Sequence, residues 1–514
     1  MNTVMKRKGV ILAAALSMTL AAGCGNNNAG NDKNDQGAKP TDGAQATDKQ
    51  TEKPAEPFKL SIMLDLHEPE VPSDKIEKML EDISNTELDI QWVPDGSYDD
   101  KMNASFATGS LPQAVQLKNA ASLNLFRDAI KDGQFWEIGP LLGSYPNLSK
   151  LNKDVLNNTS VGGKIYALYR ENALSRQGVI FRKDWADKVG LAAPKTIDEL
   201  YNLMKAFKEQ DPDGNGKDDT FGLTDRSDLI YGAFKTVSSY FGTPNNWGEK
   251  DGKLAPEFMF PEYIETMNFF KKLHQEGLIN QDFPVTSKND QQSLFASGKA
   301  GVYIGAMGDV QSLTDKVKEV NATGELDIQN RIEGPKGTGI WSTGGYGSVF
   351  LFPKSAIKSE DELKQVLSFF DHMMSPVAAN LIQWGIEGEH HKIDGGSAIP
   401  TEDTDLTNRE VKPYLSLQIG GQGTIEELLD PKFPMPVKAK SEELIKDNEN
   451  ILIDDPTLSL ESKTNIEKGE RLQEIVKDAT YKYMMGDIDE AGFQKAVDKW
   501  LKDGGQAIID EYNA

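Results

Sequence analysis

The sequence predicts an α/β protein, on three observations. Phe58, Leu60, Ile62 and Leu64 recur at every second position, as do Leu88, Ile90 and Trp92, the period of a strand with a buried face. Between these runs Ile76, Met79, Leu80 and Ile83 recur at helical spacing, behind Ser73 and Asp74 as capping candidates. A second helical stretch from Tyr98 to Phe106 then leads into the short run Ala114-Val115-Gln116-Leu117. A β-α-β-α-β opening of this kind implies parallel strands joined by right-handed crossovers. In such open sheets ligands lie beyond the carboxyl ends of the strands, which marks Asp65, His67, Lys118 and Asn119 as positions where a ligand is met.

Composition sets the outer limits. A chain of 514 residues, 38% hydrophobic and 26% charged, is an ordinary globular composition with room for two or three domains. Its formal net charge is −24. Such a surface repels phosphate backbones and anionic lipid, which argues against nucleic acid or polybasic membrane binding. A heavily anionic ligand such as a polyuronate is disfavoured more weakly, since a local basic cleft overrides a whole-molecule charge.

Ahead of the folded body, Lys6-Arg7-Lys8 precede a nearly continuous apolar run from Val10 to Ala22 that ends in Ala21-Ala22-Gly23 and Cys24. The run is too short for an ordinary membrane span, but it has the basic, apolar and small-residue parts of an export signal. Its cleavage removes three basic residues and no acids, which takes the chain from −24 to −27. Cys24 is the only cysteine, so no intramolecular disulfide can form. The stretch resembles the bacterial lipoprotein signal, in which this cysteine becomes the N-terminus and carries a diacylglycerol thioether and an acyl chain of the palmitate kind. The position three before it, where that family favours Leu, is Ala21. The resemblance implies lipidation at Cys24 and a place on the extracellular face of the cell membrane, held by the lipid anchor only; several acyl chains anchor stably where one does not. Residues 25–57 hold no Val, Ile, Leu, Met or aromatic residue, so they read as a disordered tether.

Further along, Thr196-x-x-Glu199 is a capping box opening an amphipathic helix with Ile197, Leu200, Met204 and Phe207 on one face. That helix runs into Asp211-Pro-Asp213-Gly-Asn215-Gly-Lys217-Asp-Asp219. Oxygen side chains stand at alternate positions, a glycine permits the sharp turn, and the Lys217 carbonyl falls where a backbone ligand is used, the pattern of an oxygen-rich calcium loop. The position of the closing bidentate Glu is Gly222, so the loop is EF-hand-like and structural; the alternative is a solvated acidic turn.

Pyranose C–H faces pack on aromatic rings while planar polar groups bond the hydroxyls, so a sugar cleft needs Trp and Tyr in loops beside Asn, Glu or Arg. Trp247, Trp341, Tyr346 and Trp384 all fall in or beside Gly- and Asn-rich stretches, with Arg170, Glu171 and Asn119 as polar contacts. Loop anchors, a surface salt bridge and a turn residue are the competing explanations.

With Gly163-Lys-Ile-Tyr166-Ala, Phe295-Ala-Ser-Gly-Lys299-Ala-Gly, Gln383-Trp384-Gly-Ile-Glu-Gly388 and Met484-Met-Gly-Asp-Ile-Asp-Glu in the same chain, the sequence resembles the extracellular solute-binding proteins of bacterial ABC importers. The likeness is to the large oligosaccharide-binding lipoproteins related to maltodextrin- and alginate-oligosaccharide-binding proteins. The resemblance implies a two-lobe periplasmic-binding-protein-like (type II) fold with several hinge crossings, near residues 168–178, 297–303 and 345–355. It implies a monomer that captures an oligosaccharide in the inter-lobe cleft and delivers it to the membrane subunits of an ABC permease. It also implies Ca2+ on Asp211, Asp213, Asn215, the Lys217 carbonyl and Asp219. The expected divisions are a signal at 1–23, lipidated cysteine and linker at 24–57, an N-terminal lobe at 58–170 and 300–350, and a C-terminal lobe at 171–299 and 351–514. The expected ligand is a neutral oligosaccharide. A lipid-anchored glycosidase or lyase, or a receptor for a non-sugar solute, are the alternatives; no G-x-S-x-G, H-E-x-x-H or G-K-[ST] motif occurs.

Overall fold

The computed structural model describes residues 56–514. The signal, Cys24 and nearly all of the tether lie outside them. The opening follows the expected order: β1 (Phe58–Leu66), α1 (Asp74–Ser84), β2 (Thr86–Pro94), α2 (Asp95–Ala107), β3 (Ala114–Leu117) and α3 (Ala120–Lys131), with β1 parallel to both β2 and β3. Leu60, Ile62, Met63 and Leu64 are all buried, so β1 is covered on both faces, as the middle strand of a helix-flanked sheet must be. The chain continues through β4 (Leu168–Glu171), β5 (Gln177–Arg182), α4 (Ile197–Glu209), β6 (Phe221–Thr224), β7 (Ala300–Ala306), β8 (Leu326–Gln329) and β9 (Tyr346–Leu351). α4 starts at its expected cap: Thr196 Oγ1 accepts from Glu199 N at 3.1 Å and Glu199 Oε2 from Lys195 N at 2.7 Å. Its Ile197, Leu200, Met204 and Phe207 are buried together.

These strands form two sheets. One has the order β2-β1-β3-β9-β4 and the other β8-β5-β7-β6. Each has its own apolar core, one drawn from residues 60–168 and 349–428, the other chiefly from residues 179–341 and 472–508. The segments divide between the lobes differently from the expectation. Residues 300–306 pair with β5 and β6 in the second sheet, so they do not belong with residues 58–170. Residues 351–428 pack on the first core, not with the C-terminal lobe. The returning strand is β9, antiparallel to β3 and β4. Both segments are apolar strands of similar length, and only a pairing partner distant in sequence distinguishes them.

The chain therefore passes between the lobes near residues 172–176, 342–345 and 432–435, the last leading to Val437 and Leu444 against a smaller apolar cluster on the second sheet. The first lies within the expected hinge at 168–178, and the second ends where the expected hinge at 345–355 begins. The expected one at 297–303 is instead a turn within the second lobe, where Phe221 N donates to the Lys299 carbonyl at 2.9 Å. The first crossing is held from the side by buried Asn448, whose amide donates to the carbonyls of Ser175 and Gln177 at 3.1 and 3.0 Å.

Candidate functional site

Three strands of the first sheet end on one cavity of 370 Å³. β1 contributes Asp65 and His67, β3 contributes Gln116 and Lys118, and β4 contributes Arg170, with Asn172 just beyond it. This is the carboxyl-end location that parallel topology predicts for ligands, and Asp65, His67 and Lys118 fall where the sequence puts them.

The polar groups here are mostly held in place by one another. Asp65 Oδ1 accepts from Ser416 Oγ at 2.7 Å, and its Oδ2 lies 3.0 Å from His67 Nε2. Tyr98, fully buried, donates its hydroxyl proton to the Gln116 carbonyl at 2.7 Å. Lys118 pairs with Asp95 at 2.8 Å and Asp99 at 3.4 Å. Lys118 holds the Asp95 carboxyl below its usual range. Burial works against the charge on Lys118, but those two carboxylates outweigh it and raise its pKa.

A second cavity of 720 Å³ shares Arg170 and adds Glu171, Trp384 and Gln418 from the first lobe. Trp384 ends α5 (Pro376–Trp384), and α6 (Pro436–Asp447), beyond the 432–435 crossing, closes the cavity with Glu442 and Lys446. Trp384 is positioned by its indole N–H, donated to the Leu429 carbonyl at 3.0 Å. Glu171 accepts from Gly423 N at 3.1 Å and Thr424 Oγ1 at 2.9 Å, and burial pushes its carboxyl up. Arg170 is thus the residue common to both cavities. No hydrogen-bond or ion-pair partner reaches its guanidinium among the described residues, and its Nε is buried unpaired.

The structure brings Arg170, Glu171 and Trp384 together but sends the other candidates elsewhere. Trp341 is buried in the second core, where its Nε1–H meets Thr236 Oγ1 at 3.2 Å. Trp247 packs edge-on against Tyr512 at 4.9 Å, in a separate 410 Å³ cavity that Asn124 and Arg127 of α3 also line. Tyr346 begins β9 and packs on the first core. Asn119 is a cap: its side-chain oxygen accepts from Ser122 N at 2.9 Å to start α3. Asn172 and Lys412 line the 370 Å³ cavity without having been singled out, because neither sits in a motif or at the end of a strand readable from period alone. His390 Nδ1 accepts from Ile386 N, and His391 Nδ1 lies 3.0 Å from the Trp384 carbonyl.

The acidic loop turns on itself. Asp211, at φ 46°, accepts from Asn215 N and Gly216 N at 3.1 Å each. The Asn215 amide nitrogen sits between Asp213 Oδ2 at 2.6 Å and Asp219 Oδ1 at 3.0 Å, so it is a donor enclosed by converging carboxylates. Lys299 pairs with the outer oxygen of Asp219 at 2.7 Å. Thr220 is buried and donates to the Phe207 carbonyl at 2.7 Å, which turns it away from the loop.

Comparison with known proteins gives this arrangement a context. Residues 73–380 match the family model described as bacterial extracellular solute-binding protein. The chain is 45% identical over 482 residues to the polygalacturonan/rhamnogalacturonan-binding protein YtcQ of Bacillus subtilis, covering 93% of this chain and 94% of that one. Among solved structures, an HMO-binding, ABC-transporter-associated solute-binding protein from Bifidobacterium longum infantis superposes with a TM-score of 0.68. It is 18% identical and covers 89% of this chain and 98% of its own. An EF-hand mutant of the Streptococcus pneumoniae ABC-transporter substrate-binding protein FusA, in complex with fructo-nystose, has a TM-score of 0.57 at 21% identity, covering 88% and 97%.

Proposed function

This chain belongs to the bacterial extracellular solute-binding proteins, and from that premise we propose that it captures an oligosaccharide between its two lobes and delivers it to an ABC permease. The observation that carries this reading is the pair of cavities joined at Arg170, one at the strand ends of the first lobe and the other closed by α6 across a chain crossing. Three chain segments link the lobes, so the second can swing over a bound ligand as a hinged body. Planar polar groups on both sides then meet sugar hydroxyls, and Trp384 offers a ring for a pyranose face. The family consists of binding proteins, and the chain captures its sugar unchanged.

Two further features belong to the same reading. Lipidation at Cys24 tethers the receptor beside the permease as a monomer; no helix among the described residues is long and apolar enough to cross a membrane. Calcium sits on Asp211, Asp213, Asn215, the Lys217 carbonyl and Asp219, an oxygen-only donor set suited to a hard cation, where it braces the loop between α4 and β6.

The test is titration calorimetry of the purified protein against an oligosaccharide panel, with a reducing-end assay on the same mixtures. Saturable binding without release of reducing ends supports receptor function. Turnover of a glycan supports the glycosidase alternative and overturns it.

A further inference from the structure

The chain segments between the lobes are fastened to one another and to a common post. In the first two crossings, Thr343 N donates to the Leu174 carbonyl at 2.7 Å and Asn172 N to the Gly345 carbonyl at 3.0 Å. Gly345 has φ 77° there, and a Cβ on it would come within 2.8 Å of Leu174 and Val155, so this close approach needs glycine. On the second-lobe side both crossings end on one short stretch, residues 448–454. Ile340 N donates to the Ile451 carbonyl at 2.9 Å and Ser342 N to the Ile453 carbonyl at 3.1 Å, which fixes the second crossing. The first is fixed by Asn448, whose side-chain nitrogen donates to the carbonyls of Ser175 and Gln177. Ser175 Oγ and Gln177 Oε1 are buried without partners, so those side chains add nothing to the grip. Asn448 is itself held: it is fully buried, and its Oδ1 accepts at 3.1 Å from the amide of Asn330, just past β8. The same amide reaches Asp447 Oδ2 at 2.8 Å, and Arg331 forks onto that carboxylate at 2.6 and 2.8 Å. Asp447 is the last residue of α6, which carries Glu442 and Lys446 to the 720 Å³ cavity. The wall of the cleft and the post of the hinge are one continuous piece of chain.

We infer that Asn448 is a positioning residue for capture: it ends the flexible part of the first crossing at Ser175, so that the lobes turn about residues 172–174 and 343–345 and α6 closes on the cavity as a rigid wall. A hinge is a few residues that absorb a large backbone change, and a defined bend needs a defined end. One amide here serves two buried carbonyls, and both lose their donor together if it is removed, which is costly away from water. Without the post the bend spreads into the start of β5, and α6 no longer meets the first lobe at one angle. Asn448 does this without lining either cavity at Arg170. The role concerns the motion that encloses a ligand, whatever sugar is taken.

The experiment is amide hydrogen exchange read by mass spectrometry, with small-angle X-ray scattering, on the purified ligand-free chain as wild type, N448A, N330A and V497A. Val497 is buried in the C-terminal helix Glu490–Trp500 of the second core, so V497A is a control for lost stability alone. In N448A, peptides covering residues 175–180 should exchange at least about tenfold faster than in wild type, the effect of leaving buried carbonyls without their donor. Its radius of gyration should rise as the lobes sample wider angles. N330A leaves Asn448 in place without the amide that orients it, so it should fall between. V497A should melt below wild type yet keep wild-type scattering and wild-type exchange at 175–180. If N448A does not fold, N330A decides on the same two readouts. Wild-type exchange and scattering in N448A, or in N330A where it stands in, overturn the inference. The same changes in V497A also overturn it, since they would reflect general loosening and not a hinge post.

Discussion

Glu461, on the segment leading into α7 (Lys463–Met485), accepts from the Arg127 guanidinium of α3 at 2.9 Å, with Lys131 on its other oxygen. Arg127 lies beside the first core and Glu461 just ahead of a helix of the second, so this contact joins the lobes away from the chain crossings. Glu461 and Arg127 are largely buried, with side-chain exposures of 22% and 7%, which makes the contact worth more than a solvent-exposed pair.

Glu461→Gln should therefore lower stability by about 1.5–3 kcal/mol, the usual value of hydrogen bonds to charged groups. Burial raises the Glu461 pKa, but Lys131 and Arg127 outweigh it and hold the carboxyl below its usual range. A carboxyl depressed in the folded state contributes stability above its unfolded pKa of about 4.3 and loses it as pH falls through the folded value. The gap in melting temperature between wild type and variant should thus be full at pH 7 and shrink below pH 4. A gap that does not change with pH would contradict the ion-pair account.

The two tryptophans that resemble each other in sequence should behave differently. Trp341→Ala opens a cavity in the second core and should cost about 3–5 kcal/mol. Trp384 lines the cleft cavity. Trp384→Phe should abolish most of the ligand-induced change in tryptophan fluorescence, whereas the milder Trp341→Phe should retain it. A signal that survives Trp384→Phe and disappears in Trp341→Phe would reverse this assignment.

What could be read from the sequence was local in origin. The strand and helix periods of residues 58–117, the Thr196 cap and the strand-end positions Asp65, His67 and Lys118 all depend on residues a few positions apart, and each is found where expected. Trp341 leaves the expected cleft because the two-residue strand Ile340–Trp341 pairs with Leu452–Ile453, a partner far along the chain that turns a Gly-rich loop into core. Residues 300–306 join the second lobe, against expectation, for the same reason: their partners β5 and β6 are distant in sequence. Asn119 stands at a strand end, as read, but the same position caps the following helix, and that second role takes its oxygen. Arg170 was visible as a charged residue near a crossing; its lack of a partner is a property of the packed chain.

The acidic loop gives a prediction that needs no ligand. Calcium on Asp211, Asp213, Asn215 and Asp219 should replace the Asn215 amide contacts with ion–oxygen bonds. At a hundredfold excess over Kd, bound metal adds about 2.7 kcal/mol of stability. A chelator should lower the melting temperature, calcium should restore it better than magnesium, which demands a stricter octahedron, and Asp213→Ala should abolish the response. Identical melting curves with chelator and with calcium would remove the metal from this loop.

Asp225 provides the last and most pH-specific test. It is fully buried, and desolvation pushes its carboxyl up to about 7, although Ala233 N donates to Oδ1 at 2.9 Å and Arg226 lies beside it. The sign is opposite to that of Glu461. A carboxyl whose folded pKa is raised binds more protons in the folded state than in the unfolded one between about pH 4 and 7, so stability declines as pH rises through that interval. Asp225→Asn keeps an oxygen for Ala233 and removes the titration. The variant should therefore be more stable than wild type at pH 8, and its advantage should vanish at pH 4, where the wild-type carboxyl is protonated in the folded state. Paired urea unfolding curves at the two pH values measure this directly; a variant less stable than wild type at pH 8 would mean that the charged form is the one the fold requires.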